Sequence, residues 1–361
     1  MGKATSLIYS MNSENIRIYG EGIIDLNGDA FFRERDWYVP SSKIELAQDQ
    51  IEECTLNVYS RINQPIFFYR CRNVKLEGIK IINSPCWTVT FCECQDVKVM
   101  YITIDNSLNV PNDDGIHLTC SKGVIIHGCS ISCGDDCIAA TCITDWNMPC
   151  EDIVVSDCIL KSCSKAIVCG YMHSIVRNIT ITNCVVKESN RAFCIMTSSV
   201  TSIVENIRVS NMILDTKIRC GNWWGNGEPI AVFSTYHNSE YYRDGIPDRN
   251  IRYNIRDVHF DNITCTGENA IGIVGEGKNM ENVTFSNISF RLKDSRNLGI
   301  KGRVIDTSPS LEHPEFPDDA APYWLLMKDV DNVKFHNVCL AEHNGVLPKA
   351  HIVNCQNYTI D

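Results

Sequence analysis

The chain has 361 residues, a formal net charge of −11 at pH 7, 44% hydrophobic residues and 21% charged residues. This is a globular composition with ample core, and no apolar run reaches the roughly 20 residues of a membrane span. The acidic balance argues against a nucleic-acid partner, which needs a basic face. It does not exclude an acidic sugar held in a local basic pocket.

From the N-terminus, Met1–Gly20 has no apolar stretch followed by a small-residue cleavage site, so no signal peptide is predicted. The 20 cysteines sit inside apolar, strand-like runs, as at Cys129, Cys158 and Cys184, where a free thiol behaves as a small hydrophobe. With no export signal, free thiols in a reducing cytoplasm are expected; a truncated N-terminus would instead fit secretion. The pairs Cys92/Cys94 and Cys133/Cys137 lack the CxxC spacing of structural zinc sites. No metal and no cofactor is predicted.

A repeat then runs along the chain. Its copies include Gly123-Val-Ile-Ile-His-Gly-Cys129, Asp152-Ile-Val-Val-Ser-Asp-Cys158, Asn178-Ile-Thr-Ile-Thr-Asn-Cys184 and Asn206-Ile-Arg-Val-Ser-Asn-Met212. Further copies begin at Asp257, Asn282 and Asn332, and related ones near Asn15, Asn73 and Asp96. Each holds a short alternating strand. The spacing is near one coil of a solenoid: 26 residues from Asp152 to Asn178, 28 to Asn206, and 25 from Asp257 to Asn282. The prediction is an all-β, single-stranded right-handed parallel β-helix forming one domain over 1–361. A sandwich of unrelated strand–turn units is the alternative.

Cys129, Cys158, Cys184, Met212, Ile263, Ile288 and Val338 should stack as one interior column. One position earlier, Asp157, Asn183, Asn211, Asn262, Asn287 and Asn337 should form a ladder at a tight turn, because Asn tolerates left-handed backbone. Three insertions, near 33–50, 217–250 and 306–322, should be loops at one face. No capping element precedes the first coil, so an oligomer, a covering loop or a missing N-terminal cap is expected.

Two carboxylate segments stand out, Pro111-Asn-Asp-Asp-Gly-Ile-His-Leu118 and Ser132-Cys-Gly-Asp-Asp-Cys-Ile-Ala139. Asp114 and Asp135 are 21 residues apart, close to one coil, which places the aspartates on adjacent rungs about 5 Å apart. Such crowding raises at least one pKa. Glycoside hydrolysis needs one protonated and one ionised carboxyl group. Calcium binding and ordinary Asp-Gly turns are the other readings.

Asn112-Asp113-Asp114-Gly115 and Gly134-Asp135-Asp136-Cys137 resemble the Asn-Thr-Asp-Gly and Gly-Asp-Asp-Cys motifs of glycoside hydrolase family 28, the polygalacturonase family. The resemblance extends over most of the chain. It implies inverting hydrolysis on a parallel β-helix, with Asp135 as general acid and Asp114 and Asp136 positioning and deprotonating water.

The match fails at two places. Ser164-Lys165 stands where the family has His-Gly, with His173 nearby but offset. Cys194-Ile195-Met196 stands where it has the Arg-Ile-Lys that grips a substrate carboxylate. Arg191, three residues earlier, either substitutes or is a solvated turn arginine. The sugar beside the scissile bond is accordingly neutral, or its acid is bound elsewhere.

In Gly221-Asn-Trp-Trp-Gly-Asn-Gly-Glu-Pro-Ile230, burial of both tryptophans is not expected. Trp223 or Trp224 should stack on sugar, with Glu228 as a polar contact; the alternative is a loop anchored by one Trp. Trp-Trp-Gly loops of this kind resemble those of bacterial family members. His117 either lines the cleft or is exposed. The expected substrate is a pectin-type or related plant oligosaccharide, cleaved from an end because the insertions wall off one side. A lyase or epimerase of acidic polysaccharides and a non-catalytic carbohydrate-binding β-helix are the alternatives.

Overall fold

The computed structural model describes residues 6–39, 46–221, 223–235, 249–276, 279–297 and 322–361. Each coil contributes a short strand such as Ile116–Thr119, a longer one such as Lys122–His127, and a third such as Ser130–Cys133. Every strand pairs in parallel with its counterpart one coil on, as Ile116 does with Ile138 and Val124 with Ile153. The short strands stack into an 11-stranded sheet and the others into a 17-stranded one. This is the right-handed parallel β-helix predicted from the repeat. The described helices are two short turns, Gly28–Phe31 and Gln48–Ile51.

The repeat works because its polar positions bend the backbone while its apolar positions fill the interior. Asp157, Asn183, Asn211, Asn262, Asn287 and Asn337 all have φ between 53° and 58°, a region in which Asn carries little penalty. Their side chains form a ladder on the outside: Asn262 Nδ2 donates to Asn211 Oδ1 at 2.8 Å and Asn337 Nδ2 to Asn287 Oδ1 at 2.7 Å. The first position of the repeat forms a second ladder, with Asn206 Nδ2 donating to Asn178 Oδ1 at 2.9 Å.

Inside, Cys129, Cys158, Cys184, Met212, Ile263 and Ile288 are buried in one continuous core, and Val338 packs against it half-buried. Phe260, Phe285 and Phe335 stack at 4.5 Å between successive centroids. All 20 cysteines are free, and all but Cys339 and Cys355 are buried.

In the first coil, Ile8, Ile16, Ile18 and Ile24 pack on the second coil and are half-buried. The described ends of the first two insertions pack against neighbouring residues of the chain, Glu53 and Asn297 among them. Trp223 Nε1 donates to the Glu53 carbonyl at 2.8 Å, Gln50 Nε2 to Asn297 Oδ1 at 2.9 Å, and Lys217 pairs with Glu53. The insertion at 306–322 lies outside the described residues, apart from Pro322.

Candidate active site

The 11-stranded sheet carries a column of charge along the leading edge of its strands. Ile116 pairs with Ile138, and Ile138 with Ile167. Two residues earlier, Asp114, Asp136 and Lys165 therefore occupy successive rungs, about 4.8 Å apart. The backbone confirms this register: Gly115 N–H donates to the Asp136 carbonyl at 2.9 Å and Cys137 N–H to the Lys165 carbonyl at 3.2 Å. Lys165 pairs in turn with Arg191, and Ala192 N–H donates to the Glu228 carbonyl at 3.3 Å. One edge thus presents Asp114, Asp136, Lys165, Arg191 and Glu228 in order.

The turns before these strands are built for close approach. A Cβ on Gly134 would lie 2.2 Å from the Val110 carbonyl oxygen, and one on Gly115 would lie 2.6 Å from that of Cys137. Asp113, fully buried, clamps the next turn: its Oδ1 accepts from Gly134 N–H at 2.5 Å and Asp135 N–H at 3.0 Å. Burial pushes the Asp113 carboxyl well above the usual range. This is a structural role the sequence reading did not assign.

Asp114, Asp135 and Asp136 line one open cleft. Burial, and then the adjacent Asp136 carboxylate, push Asp135 up to about 7 against the opposing pull of the Lys165 ammonium. Lys165 is buried, with Nζ 3.2 Å from Asp136 Oδ1 and 5.8 Å from the centre of the Trp224 ring. His117 lines the same cleft, stacked on Trp87 at 3.9 Å. Its Nδ1 is 2.6 Å from Asp114 Oδ2 and its Nε2 is 3.0 Å from Thr141 Oγ1. Burial pulls the imidazole down to about 3, so it is neutral. A carboxylate can only accept, so the proton is assigned to Nδ1, which donates to Asp114.

Trp224 reaches the cleft and also lines a second recess, which shares Asn112 with the first and is walled by Tyr38 and Val58. Both tryptophans are buried, contrary to expectation. Trp223, 1% exposed, is the anchor of the loop rather than a sugar platform. Arg191 is neither a cleft residue nor a solvated turn arginine. It is fully buried in strand Arg191–Thr197, and its Nε and Nη2 meet the Glu228 carboxylate at 3.2 and 2.9 Å. Glu228 also accepts from Asn226 N–H at 2.8 Å. It is therefore the counter-ion of Arg191 and does not line the cleft. His173 is buried against Trp146 and Thr201, off the cleft.

Lys165 and Trp87 are among the cleft residues that sequence reading missed. The signal for Lys165 was available, since it precedes Ile167 by the same two residues that separate Asp114 from Ile116 and Asp136 from Ile138.

The model of the glycosyl hydrolases family 28 matches residues 2–305, and the chain belongs to that family. It is 24% identical to a polygalacturonase of Cryptomeria japonica over 289 residues, covering 71% of this chain and 50% of that one. The chain spans at most half the length of the curated relatives it matches. Among solved structures, an exopolygalacturonase of Yersinia enterocolitica superposes with a TM-score of 0.62 at 16% identity, over 96% of this chain and 60% of that one. One from Thermotoga maritima gives 0.55 at 22% identity, over 80% and 67%. At these identities the structural likeness shows the shared fold.

Proposed function

We propose that the protein hydrolyses a glycosidic bond in a pectin-type or related plant oligosaccharide, acting from a chain end and with inversion. The observation that carries this reading is the asymmetry of the aspartates around one cleft. Asp135 is held toward its protonated form, while Asp136 faces an ammonium and Asp114 a neutral imidazole N–H. Asp135 gives its proton to the leaving oxygen as the bond between that oxygen and the anomeric carbon breaks. Water attacks that carbon from the opposite face, and Asp136, aided by Asp114, takes the proton released. Lys165 stabilises the carboxylate form of Asp136, and His117 orients Asp114.

The recess beyond Asn112 and Trp224 offers room for a further sugar. The packed insertions beside the cleft support action from an end. The free interior thiols, including Cys133 and Cys137 with sulfurs 3.6 Å apart, support a reducing compartment; cell fractionation tests that placement.

Product analysis on oligogalacturonides, rhamnogalacturonan fragments and neutral aryl glycosides tests the activity, with NMR of the first-formed anomer. Release of monosaccharide with inverted configuration is expected. Release from none of these substrates would overturn the hydrolase reading.

A further inference from the structure

We infer that Arg61 is a positioning residue for the general acid: it fixes which way the Asn112 amide faces, and so which oxygen of Asp135 is left to carry the proton. This deepens the hydrolase reading above and rests on Asp135 as its acid. Arg61 precedes the strand Ile66–Tyr69 and lines neither the cleft nor the second recess. Its guanidinium forks across the turn that carries the first aspartates. Nη1 donates to the Pro111 carbonyl at 2.7 Å and Nη2 to Asn112 Oδ1 at 3.1 Å, while the guanidinium carbon lies 5.6 Å from the centre of the Phe32 ring. At the other end of the same amide, Asn112 Nδ2 donates to Asp135 Oδ2 at 3.3 Å.

An asparagine amide fits its slot in either of two orientations, and its partners decide between them. A guanidinium has donors alone, so the end of Asn112 that meets Arg61 must be the oxygen. The amide nitrogen is thereby turned to Asp135. An N–H can only donate, so Asp135 Oδ2 serves as acceptor and the acid proton belongs on Oδ1. Turned over, the same amide would offer its oxygen to Asp135 and accept the acid proton itself, holding it back from the leaving oxygen. The neighbouring residue completes the grip: Asp113 Oδ1 accepts from the Asp135 N–H at 3.0 Å. Consecutive residues of one turn thus hold the side chain and the main chain of the acid.

The test follows the Asp135 carboxyl itself by infrared titration, with its band assigned by loss in Asp135→Asn. Donation to a carboxylate favours the charged form, and an acceptor favours the neutral form. Arg61→Met should therefore raise the midpoint from about 7 by at least about half a pH unit. The other groups around this carboxyl, Asp113, Asp114, Asp136, His117 and Lys165, are the same in both proteins. In the Asn112→Ala background Arg61→Met should move nothing further, because the relay is already cut. Should Arg61→Met not fold, Arg61→Lys carries the same comparison with a smaller upward shift, since one ammonium cannot span both acceptors as the fork does.

An unmoved midpoint, or an equal shift in the Asn112→Ala background, would overturn the inference; the latter would mean that the Arg61 charge acts directly. On a substrate that the product analysis shows to be cleaved, Arg61→Met should lower kcat on the order of tenfold with KM little changed. A raised KM at unchanged kcat would make Arg61 a binding residue and overturn its positioning role. A moved midpoint with no substrate cleaved would uphold the relay and overturn the hydrolase reading alone.

Discussion

The charged column has two ends, one opening onto a cleft and the other closed inside the sheet. At one end Asp114 and Asp136, with Asp135 beside them, open onto a cleft, and Lys165 Nζ stands 3.2 Å from Asp136. At the other, one rung past Lys165, Arg191 meets Glu228 in a buried two-point ion pair. A balanced, fully hydrogen-bonded pair is a structural element, tolerated because each charge satisfies the other. A carboxylate cluster facing a cavity, with Asp135 pushed up to about 7, carries the perturbed titration that gathers where acid–base chemistry is done. The same sheet edge therefore builds scaffold and site from the same residue types, and the opening onto the cleft separates them.

The sharpest way to break that contrast is Asp135→Asn. Turnover should fall on the order of 10²–10⁴-fold, the usual contribution of a general acid, with binding retained in calorimetry; normal turnover would remove Asp135 from the acid role. The same substitution should stabilise the protein. The folded state holds the Asp135 proton up to about pH 7, whereas the unfolded chain releases it near 3.8. The folded state thus loses stability as pH rises between those values. Melting temperatures of parent and variant should coincide below about pH 4 and diverge in favour of the variant by pH 8.

Removing one partner at the balanced end should act in the opposite sense. Arg191→Met leaves Glu228 buried without its cation and should cost roughly 3–5 kcal/mol in denaturant unfolding. Adding Glu228→Leu should restore much of that loss. Where the single variant stays folded, its kcat should match the parent, since neither residue lines the cleft; a selective loss of kcat would place Arg191 back in the site.

Lys165→Met tests the junction between the two ends. Turnover should drop on the order of 100-fold, as for other preorganised electrostatic groups, because Asp136 loses its counter-ion. The pH profile is the diagnostic reading. For the parent, kcat/KM should decline as pH rises through about 7, where Asp135 gives up its proton. Without the ammonium that opposes the upward shift, the decline should move to higher pH. An unmoved limb would show that Lys165 is only a packing residue.

The smallest effect is expected at Trp224→Ala. Loss of one ring face is worth about 0.5–1.5 kcal/mol, so KM should rise several-fold with kcat little changed. An unchanged KM would mean that sugar does not reach that wall.

Much of this was legible before the fold was seen. The coil repeat is written in the chain because a β-helix asks the same of every coil. One position must turn into the left-handed region, where Asn and Asp are cheap, and alternate positions must face an apolar interior. The clustering of Asp114, Asp135 and Asp136 followed from coil length alone. The Trp-Trp loop misled because exposure was inferred from local composition, whereas Trp223 is buried with its Nε1 on the Glu53 carbonyl, and of the two Trp224 lines the cleft.

The sequence by itself determined the solenoid, its ladders and the place where carboxylates would crowd, since these depend on residue type and a near-constant period. Tertiary structure decided which charges neutralise one another. The column steps from Asp114 to Asp136, Lys165, Arg191 and Glu228 through coils of unequal length, so a partner one rung away can stand 22 or 37 residues off in sequence. Only the register of the assembled sheet brings Lys165 to Asp136 and closes Arg191 onto Glu228. That pairing separates the site from the scaffold, because the energy of a buried charge depends on what stands within a few ångströms of it.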